Sequence, residues 1–221
     1  MDSRGVRIRR VDKASEASSE PMLRRRPRQS RARASARALQ ESFVQVLLER
    51  GYRGITVREV ALVAGVSVGT FYEYFGDLRA LAAVSIAVNV KALERELRGV
   101  AARARGEPPL AVVAAMSGAM SARVLGAPVR WRALLQLERE VSTPAAYRRQ
   151  YAYWVDLWRE ALDMAVPQPH SAALAHMVHA ITYGWLSQCL LTLEPPLDTA
   201  ALQAQLHTAL FGYLERAGTA G

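Results

Sequence analysis

The chain has 221 residues, of which 51% are hydrophobic, and a formal net charge of +9. That length and composition are typical of a globular protein with two domains, and they exclude a disordered or fibrous chain. No run of about 20 apolar residues is free of charged or polar breaks, so neither a membrane span nor a secretory signal is predicted. We therefore expect a cytoplasmic protein, and the single cysteine, Cys189, excludes an intramolecular disulfide.

The positive charge is concentrated at the N-terminus. Residues 1–40 hold twelve Arg or Lys against four acidic residues, which amounts to +8 of the total +9. Residues 1–29 lack a helical period and are rich in Arg, Ser, Glu and Pro, which predicts a disordered basic arm. Such an arm suits sequence-independent attraction to phosphates through counterion release. A solvated tail that contacts nothing is the alternative that the sequence leaves open.

The first predicted helix runs from about Arg33 to Arg50. Its apolar residues recur on one face, and Gly51 follows as a stop signal. We expect that face to pack against the next two helices, which makes a three-helix domain over residues 30–80. The residues of the face are Ala36, Leu39, Phe43, Val46 and Leu47.

Residues 56–81 predict a helix-turn-helix. Thr56 begins a capping box with Glu59, which places the start of the first helix of the motif. Ser67 caps the second helix, predicted over residues 68–74, which is short enough to enter a DNA groove. The residues predicted to point away from the domain and toward such a groove are Val68, Gly69, Tyr72 and Glu73.

The helix-turn-helix is also the part of the chain that resembles a known family. The matching segments are Thr56-Val57-Arg58-Glu59-Val60-Ala61, Ala64-Gly65-Val66-Ser67-Val68-Gly69-Thr70-Phe71-Tyr72, Tyr74-Phe75 and Leu81. They are similar to the DNA-binding domain of the TetR family of bacterial transcriptional repressors. The similarity covers about residues 35–85, and beyond them it implies only a shared all-helical architecture. Where the family has a phosphate-binding lysine, this chain has Leu78 followed by Arg79.

The resemblance implies roles for individual side chains. Arg58 and the exposed residues of the second helix are expected to reach base edges, since an arginine can form two parallel bonds with guanine. Arg79 would replace the missing lysine or pair with Glu73. Glu73 could instead accept from a cytosine amine, and Val68 could touch a thymine methyl group. The residues expected to hold phosphates through hydroxyl groups are Thr56, Ser67, Thr70, Tyr72 and Tyr74.

Helices are predicted for the rest of the chain as well. The helix from Leu78 to about Arg105 is too long for the small domain alone, so it is predicted to bridge two domains. Residues 81–218 would form a helical domain for effector binding and dimerisation. The total of about nine helices without a strand signal predicts an all-α fold. Besides the two helices of the motif, at 57–63 and 68–74, the later spans are 110–125, 128–141, 144–166, 171–193 and 198–216, separated by Gly or Pro.

Large apolar and aromatic side chains are abundant in the second half of the chain. They are consistent with an ordinary core. They also fit a cavity between helices for a hydrophobic or aromatic effector, which the resemblance favours because members of that family bind a small molecule in this domain. The candidate lining residues are Met116, Met120, Trp131, Leu135, Trp154, Trp158, His179 and Tyr183.

Small residues form narrow faces on the last two predicted helices. Two such pairs of helices could form a four-helix bundle across a two-fold axis, as in the resembling family. A dimer also suits the helix-turn-helix, because two reading helices recognise a palindrome whose half-sites are about 34 to 36 Å apart. The predicted interface residues are Ala173, Ala180, Gly184, Ser187, Ala201, Gln205, Thr208 and Gly212.

No catalytic or cofactor motif is present in the sequence. His176 and His179 share a helical face but have no acidic residue at metal-ligand spacing, and no GxSxG or HExxH pattern occurs. We therefore predict a homodimeric, ligand-responsive repressor that binds double-stranded DNA and is not an enzyme, with no cofactor or metal. An architectural or partner-regulated DNA-binding protein of the same fold and an enzyme that has kept a basic N-terminal domain are the alternatives.

Overall fold

A computed structural model describes residues 30–165, 172–194 and 196–219. Within these ranges the chain forms nine α-helices and a short 3-10 helix at Tyr52–Gly54, and no strand. The predicted arm at residues 1–29 and the predicted helix ends at residues 166 and 171 lie outside the described residues. The helices are α1 Ser30–Arg50, α2 Val57–Val63, α3 Val68–Tyr74, α4 Leu78–Arg103, α5 Pro109–Leu125, α6 Pro128–Val141, α7 Pro144–Asp163, α8 Ala172–Thr192 and α9 Thr199–Thr219.

The observed helices confirm the predicted all-α fold. α2, α3 and α6 begin and end at the predicted residues, and the largest differences at described helix ends are three residues, at the start of α1 and the ends of α7 and α9. Of the helices in the described ranges, none alone has the length and apolar composition of a membrane span. Only α5 and α6 pass that test as a pair, and they are bent by 95° at their junction.

Side-chain caps fix the starts of the two short helices. Thr56 Oγ1 accepts a hydrogen bond from the backbone N–H of Glu59 at 3.2 Å, and Ser67 Oγ accepts one from the N–H of Thr70 at 3.0 Å. The Glu59 carboxylate, which was expected to complete a capping box, pairs with Arg50 at 2.7 Å. The end of α1 packs beside α2 and offers the carboxylate a cation, which accounts for this difference.

A small hydrophobic core joins α1, α2, α3 and the start of α4. Phe43, Phe71 and Phe75 are fully buried in it. The core also contains Leu137 and Val141 from α6, far along the chain. The predicted three-helix domain is therefore completed by a helix from the second half of the sequence, an addition that the sequence did not indicate.

A larger core lies between α4, α5, α7, α8 and α9. α4 contributes to both cores, because Leu81 near its start is buried in the small one and Leu97 near its end is buried in the large one. This is the bridging position predicted for α4. α6 also packs against both cores, because Leu137 and Val141 belong to the small one and Trp131 and Leu135 pack against the large one.

Candidate DNA interface and internal cavity

The outer face of α3 consists of the residues predicted to face a groove. Val68 is 40% exposed and Tyr72 is 44% exposed, and Gly69 and Glu73 are also exposed. On the opposite side of the helix, Phe71 is fully buried. α3 therefore presents a short ridge to solvent, and the Ser67 cap holds the start of that ridge in place.

Arg58 is available for contact with another molecule. It lies in the first turn of α2, its side chain is exposed, and it forms no ion pair or hydrogen bond within the described part of the chain. The hydroxyl groups of Thr56 and Ser67 accept cap bonds at the two helix starts. Ser67 Oγ and Thr70 Oγ1 also lie 3.0 Å apart and share a hydrogen bond, so one of those two hydroxyl protons remains to be donated outward.

Two residues predicted to contact phosphates make contacts within the protein instead. Tyr74 is only 6% exposed and packs in the small core, because α3 turns this position inward beside Phe71 and Phe75. Arg79, which was expected to replace a phosphate-binding lysine or to pair with Glu73, donates from Nε and an Nη to the backbone carbonyl of Val141, at 3.1 and 2.6 Å. That carbonyl is at the end of α6, where helical carbonyls lack partners.

The end of α6 is held against the helix-turn-helix by several contacts. Besides the two bonds from Arg79, Arg53 lies 3.6 Å from Glu140, and Leu137 and Val141 pack in the small core. A neighbouring face of the same helix points into the interior of the large core. α6 therefore connects two environments that are far apart in the sequence.

A cavity of about 90 Å³ lies between α4, α5, α6, α7 and α8. Its wall is mainly apolar and aromatic, and the described residues that form it include no Lys or Arg. The lining residues are Ile86, Asn89, Val90, Leu93, Met120, Val124, Trp131, Leu134, Leu135, Glu138, Trp154, His179, Tyr183, Leu186, Ser187 and Leu190.

The cavity wall includes six of the eight predicted lining residues. The other two, Met116 and Trp158, are fully buried in the large core and fill it, because their faces of α5 and α7 point away from the void. Glu138 also lines the cavity, although it was not among the predicted residues. A signal for it was present, since Glu138 follows Trp131 and Leu135 at i+7 and i+3, which places a carboxylate on an otherwise apolar helical face.

Burial changes the pKa values of the titratable groups in the cavity wall. Desolvation raises the pKa of Glu138, although the nearby charge of Arg139 and the neighbouring hydroxyl group of Tyr183 act in the other direction. Burial also raises the pKa of Tyr183, with the charge of Glu138 as the next cause. Burial and the neighbouring His176 lower the pKa of His179 to about 4, so its imidazole is neutral at pH 7. The described residues contain no group of three or more His, Cys, Asp or Glu side chains that could hold a metal ion.

The predicted dimer face on α8 and α9 is mostly accessible. Ala173, Gln205 and Thr208 are exposed, Ala180 and Ala201 are partly exposed, and a Cβ atom added at Gly184 or Gly212 would meet no atom within 4 Å. Ser187 is an exception, because it is 3% exposed, donates to the backbone carbonyl of Gly184 and lines the cavity. Its side chain points inward from α8, so it cannot contribute to a surface between subunits.

Comparison with known proteins accounts for this arrangement. Residues 44–83 match the sequence model described as bacterial regulatory proteins, tetR family. A crystal structure of a TetR family transcription regulator from Marinobacter aquaeolei VT8 shares the arrangement of helices, with a TM-score of 0.59 over 81% of this chain and 96% of that one, at 18% identity. The chain has the TetR-family fold.

Other solved structures with this TetR fold are similar to most of the chain. A putative transcriptional regulator from Pseudomonas aeruginosa PAO1 is 23% identical, with a TM-score of 0.65 over 86% of this chain and 93% of that one. AibR, solved in complex with isovaleryl coenzyme A and operator DNA, is 16% identical, with a TM-score of 0.59 over 80% and 98%. No curated protein sequence matches the chain.

The buried imidazole in this TetR fold predicts a sensitivity to acid. The folded-state pKa of His179, about 4, lies below the ordinary 6.5, so the unfolded chain binds the additional proton first. The neutral imidazole therefore makes its full contribution to the free energy of unfolding above pH 6.5, and this contribution falls as the pH drops toward 4. We expect the wild type to lose about 2 kcal/mol of unfolding free energy between pH 7 and pH 4.5 that His179→Phe does not lose.

Urea unfolding at a series of pH values measures this difference. His176→Phe, on the exposed face of the same helix, is the control and should keep most of the acid sensitivity of the wild type, because burial is a larger cause of the lowered pKa of His179 than His176 is. Parallel pH profiles for the wild type and His179→Phe would show that the buried imidazole does not cause the acid sensitivity.

Proposed function

We propose that the protein is a homodimeric, ligand-responsive transcriptional repressor that binds a palindromic DNA operator and is released by a small hydrophobic molecule. The TetR-family fold supports the general class of DNA-binding regulator. The observation that carries the ligand response is the double role of α6, which forms one wall of the cavity and also completes the core of the helix-turn-helix.

The exposed ridge of α3 is the proposed reading surface. Tyr72, Gly69 and Val68 would face the groove, and Arg58 from α2 would reach a guanine edge. The hydroxyl groups and backbone N–H groups at the starts of α2 and α3 would hold phosphates and set the register. One short helix covers few base pairs, so the proposal includes a second copy joined through α8 and α9.

The ligand response would arise from a change in the position of α6. A cavity of about 90 Å³ is smaller than the roughly 300 to 1,000 Å³ that encloses drug-sized ligands, so an effector of that size must move the wall. Displacement of α6 would pass to Leu137 and Val141 in the small core, and displacement of α4 would change the separation of the two α3 helices. An effector that moves the population from 1:99 to 99:1 must favour one arrangement by about 5.5 kcal/mol.

A solved structure of the same fold supports a link between ligand and operator. AibR was crystallised with both isovaleryl coenzyme A and operator DNA, so that protein binds a small molecule and DNA in one assembly. The same combination is the one proposed for this chain, with a ligand of its own.

A selection experiment tests the proposed function. Full-length protein is used to select duplexes from a random-sequence pool, and the selected duplex is then titrated by gel shift with candidate effectors. We expect a palindromic site with half-sites about one helical turn apart and release of the duplex by an effector. Selection of no defined sequence would refute the proposed function, and an effector that binds without changing operator affinity would refute the switch.

The small volume of the cavity favours one second candidate, a DNA-binding protein of this fold that is regulated by a partner and has no small-molecule effector. The same experiment separates the two proposals. A partner-regulated protein would still select a palindrome, but no small molecule that enters the cavity would alter its affinity for that site.

The position of Arg79 leads to a prediction about the contact between α6 and the helix-turn-helix. Arg79→Ala removes two hydrogen bonds to Val141 and should lower the unfolding free energy by about 1 kcal/mol. It should leave the slope of operator affinity against salt concentration unchanged, because the guanidinium is occupied by α6. A phosphate contact by Arg79 would lower that slope by about 1 per site.

Urea unfolding and fluorescence anisotropy over a salt series measure the two effects. Arg53→Ala removes the same charge nearby, and the Arg53 side chain is 90% exposed, so this control should change the unfolding free energy by less than about 0.5 kcal/mol. Unchanged stability together with a lower salt slope would restore Arg79 to the phosphate-binding role.

A further inference from the structure

The polar groups of the cavity wall define the kind of ligand that fits it. Glu138 is the only wall residue that can carry a full charge at neutral pH among those described, because His179 is neutral and the wall has no Lys or Arg. Its carboxylate is partly buried and lies close enough to the Tyr183 hydroxyl group for each to affect the pKa of the other. Within the described part of the chain, no Arg or Lys nitrogen lies within 4 Å of it, and Arg139, which follows it on α6, is exposed.

Two other polar residues of the wall already have partners within the protein. The Asn89 amide donates to the Ser85 carbonyl and accepts from Arg130, and Ser187 donates to the Gly184 carbonyl. A second group without a hydrogen-bond partner belongs to the same wall. Nδ1 of His179 is buried without a hydrogen-bond partner. The whole His179 residue is only 2% exposed, and it forms part of the wall.

Aromatic rings surround this acidic position. Trp131, Trp154 and Tyr183 line the same void. The ring centroids of Tyr183 and His179 are 5.7 Å apart. The faces of such rings attract cations, and a carboxylate in an apolar enclosure attracts them more strongly than one in water. A carboxylate or phosphate ligand would instead meet Glu138 with like charge and would find no Lys or Arg among the described residues of the wall.

We propose that the cavity binds an apolar or aromatic molecule carrying one amine-type cation, and that the Glu138 carboxylate receives this cation. This inference rests on the proposed function, since it names the class of effector that would act on α6. Because Glu138 lies on α6 next to Leu137, which packs in the small core, a cation drawn to Glu138 acts directly on the helix that contacts the helix-turn-helix.

Three probes that differ only in the head group test the inference with the full-length protein. They are 4-phenylbutylamine, 4-phenylbutanol and 4-phenylbutanoate, and binding is measured by calorimetry. We expect the wild type to bind the amine at least about tenfold more tightly than the alcohol, and the carboxylate no more tightly than the alcohol. Equal affinity for the amine and the alcohol, tighter binding of the carboxylate, or no binding of the amine at about 1 mM would overturn the inference.

Variants assign the effect to one side chain. Glu138→Gln keeps the shape and an acceptor for Tyr183, and it should weaken amine binding at least about tenfold while changing alcohol binding by less than about threefold. Glu140→Gln removes a charge two residues further along the same helix and outside the cavity wall, so it should leave all three affinities unchanged. Unchanged amine binding by Glu138→Gln would also overturn the inference.

The outcomes separate this inference from the proposed function. If the alcohol or the carboxylate releases the selected operator and the amine has no advantage, the proposed regulatory function is supported. The same result would contradict the proposal that the cavity binds an amine cation. Failure of the wild type to select any operator would refute the regulator, whatever the three probes show.

Discussion

The Arg58→Ala protein should bind its selected operator about 30-fold to 10,000-fold more weakly than the wild type does. A bidentate contact between arginine and guanine contributes about 1 to 3 kcal/mol of discrimination, and a dimer makes the contact twice. The loss should be confined to DNA binding, because Arg58 is exposed and forms no ion pair or hydrogen bond within the described part of the chain.

Fluorescence anisotropy with the selected duplex measures the affinity, and a second selection with the variant tests base reading. We expect the preference to relax at one position in each half-site. Arg149→Ala, an exposed arginine on α7, removes the same charge far from α2 and should change the affinity little. An affinity that falls equally for all DNA sequences would indicate that Arg58 contacts a phosphate and not a base. An unchanged affinity would show that Arg58 does not contact DNA.

The Gly212→Arg protein should be monomeric and should lose about 100-fold to 10,000-fold in affinity for the palindrome, which is the typical gain from joining two binding units. Gly212 is exposed on α9, and an added Cβ would meet nothing within 4 Å, so the isolated subunit can hold the new side chain. Between two subunits, the same arginine would place a long charged group where small residues allow close helix packing.

Sedimentation and gel shifts on palindromic and single half-site duplexes measure the two effects. Affinity for one half-site should be unchanged, which shows that the helix-turn-helix is still folded. Gly184→Arg, on α8, should act in the same way, whereas Leu110→Arg, at the exposed start of α5, should remain dimeric. A dimeric Gly212→Arg protein would place the interface on another surface.

The helix-turn-helix could be predicted from sequence because its determinants are local. Each cap depends on a side chain that accepts a hydrogen bond from the backbone N–H three residues further along the chain. The structure contains all three caps, at Thr56, Ser67 and Asp77. Phe71 is buried and Tyr72 is exposed because neighbouring positions of a helix differ by about 100°. The environments of Glu59, Tyr74 and Arg79 differ from the local expectation, because an arginine of another helix, burial and a distant carbonyl decide them.

The cavity was less accessible to sequence reasoning. A stripe of large apolar residues has the same period whether it fills a core or lines a void, so Trp154 and Trp158 could not be distinguished. In the structure Trp154 lines the cavity and Trp158 is fully buried in the large core. The difference depends on how five helices leave space between them, a quantity that no single helix encodes.

The sequence by itself determined the nine described helices, the α3 ridge and the match to a regulatory family, because caps, glycine and proline stops and helical periods act over a few residues. Only the tertiary structure decided that Arg79 binds the carbonyl of Val141, 62 positions away, and that Glu138 faces a cavity. These contacts depend on where separate helices come to lie against one another. That placement results from packing summed over the whole chain, so a local pattern cannot specify it.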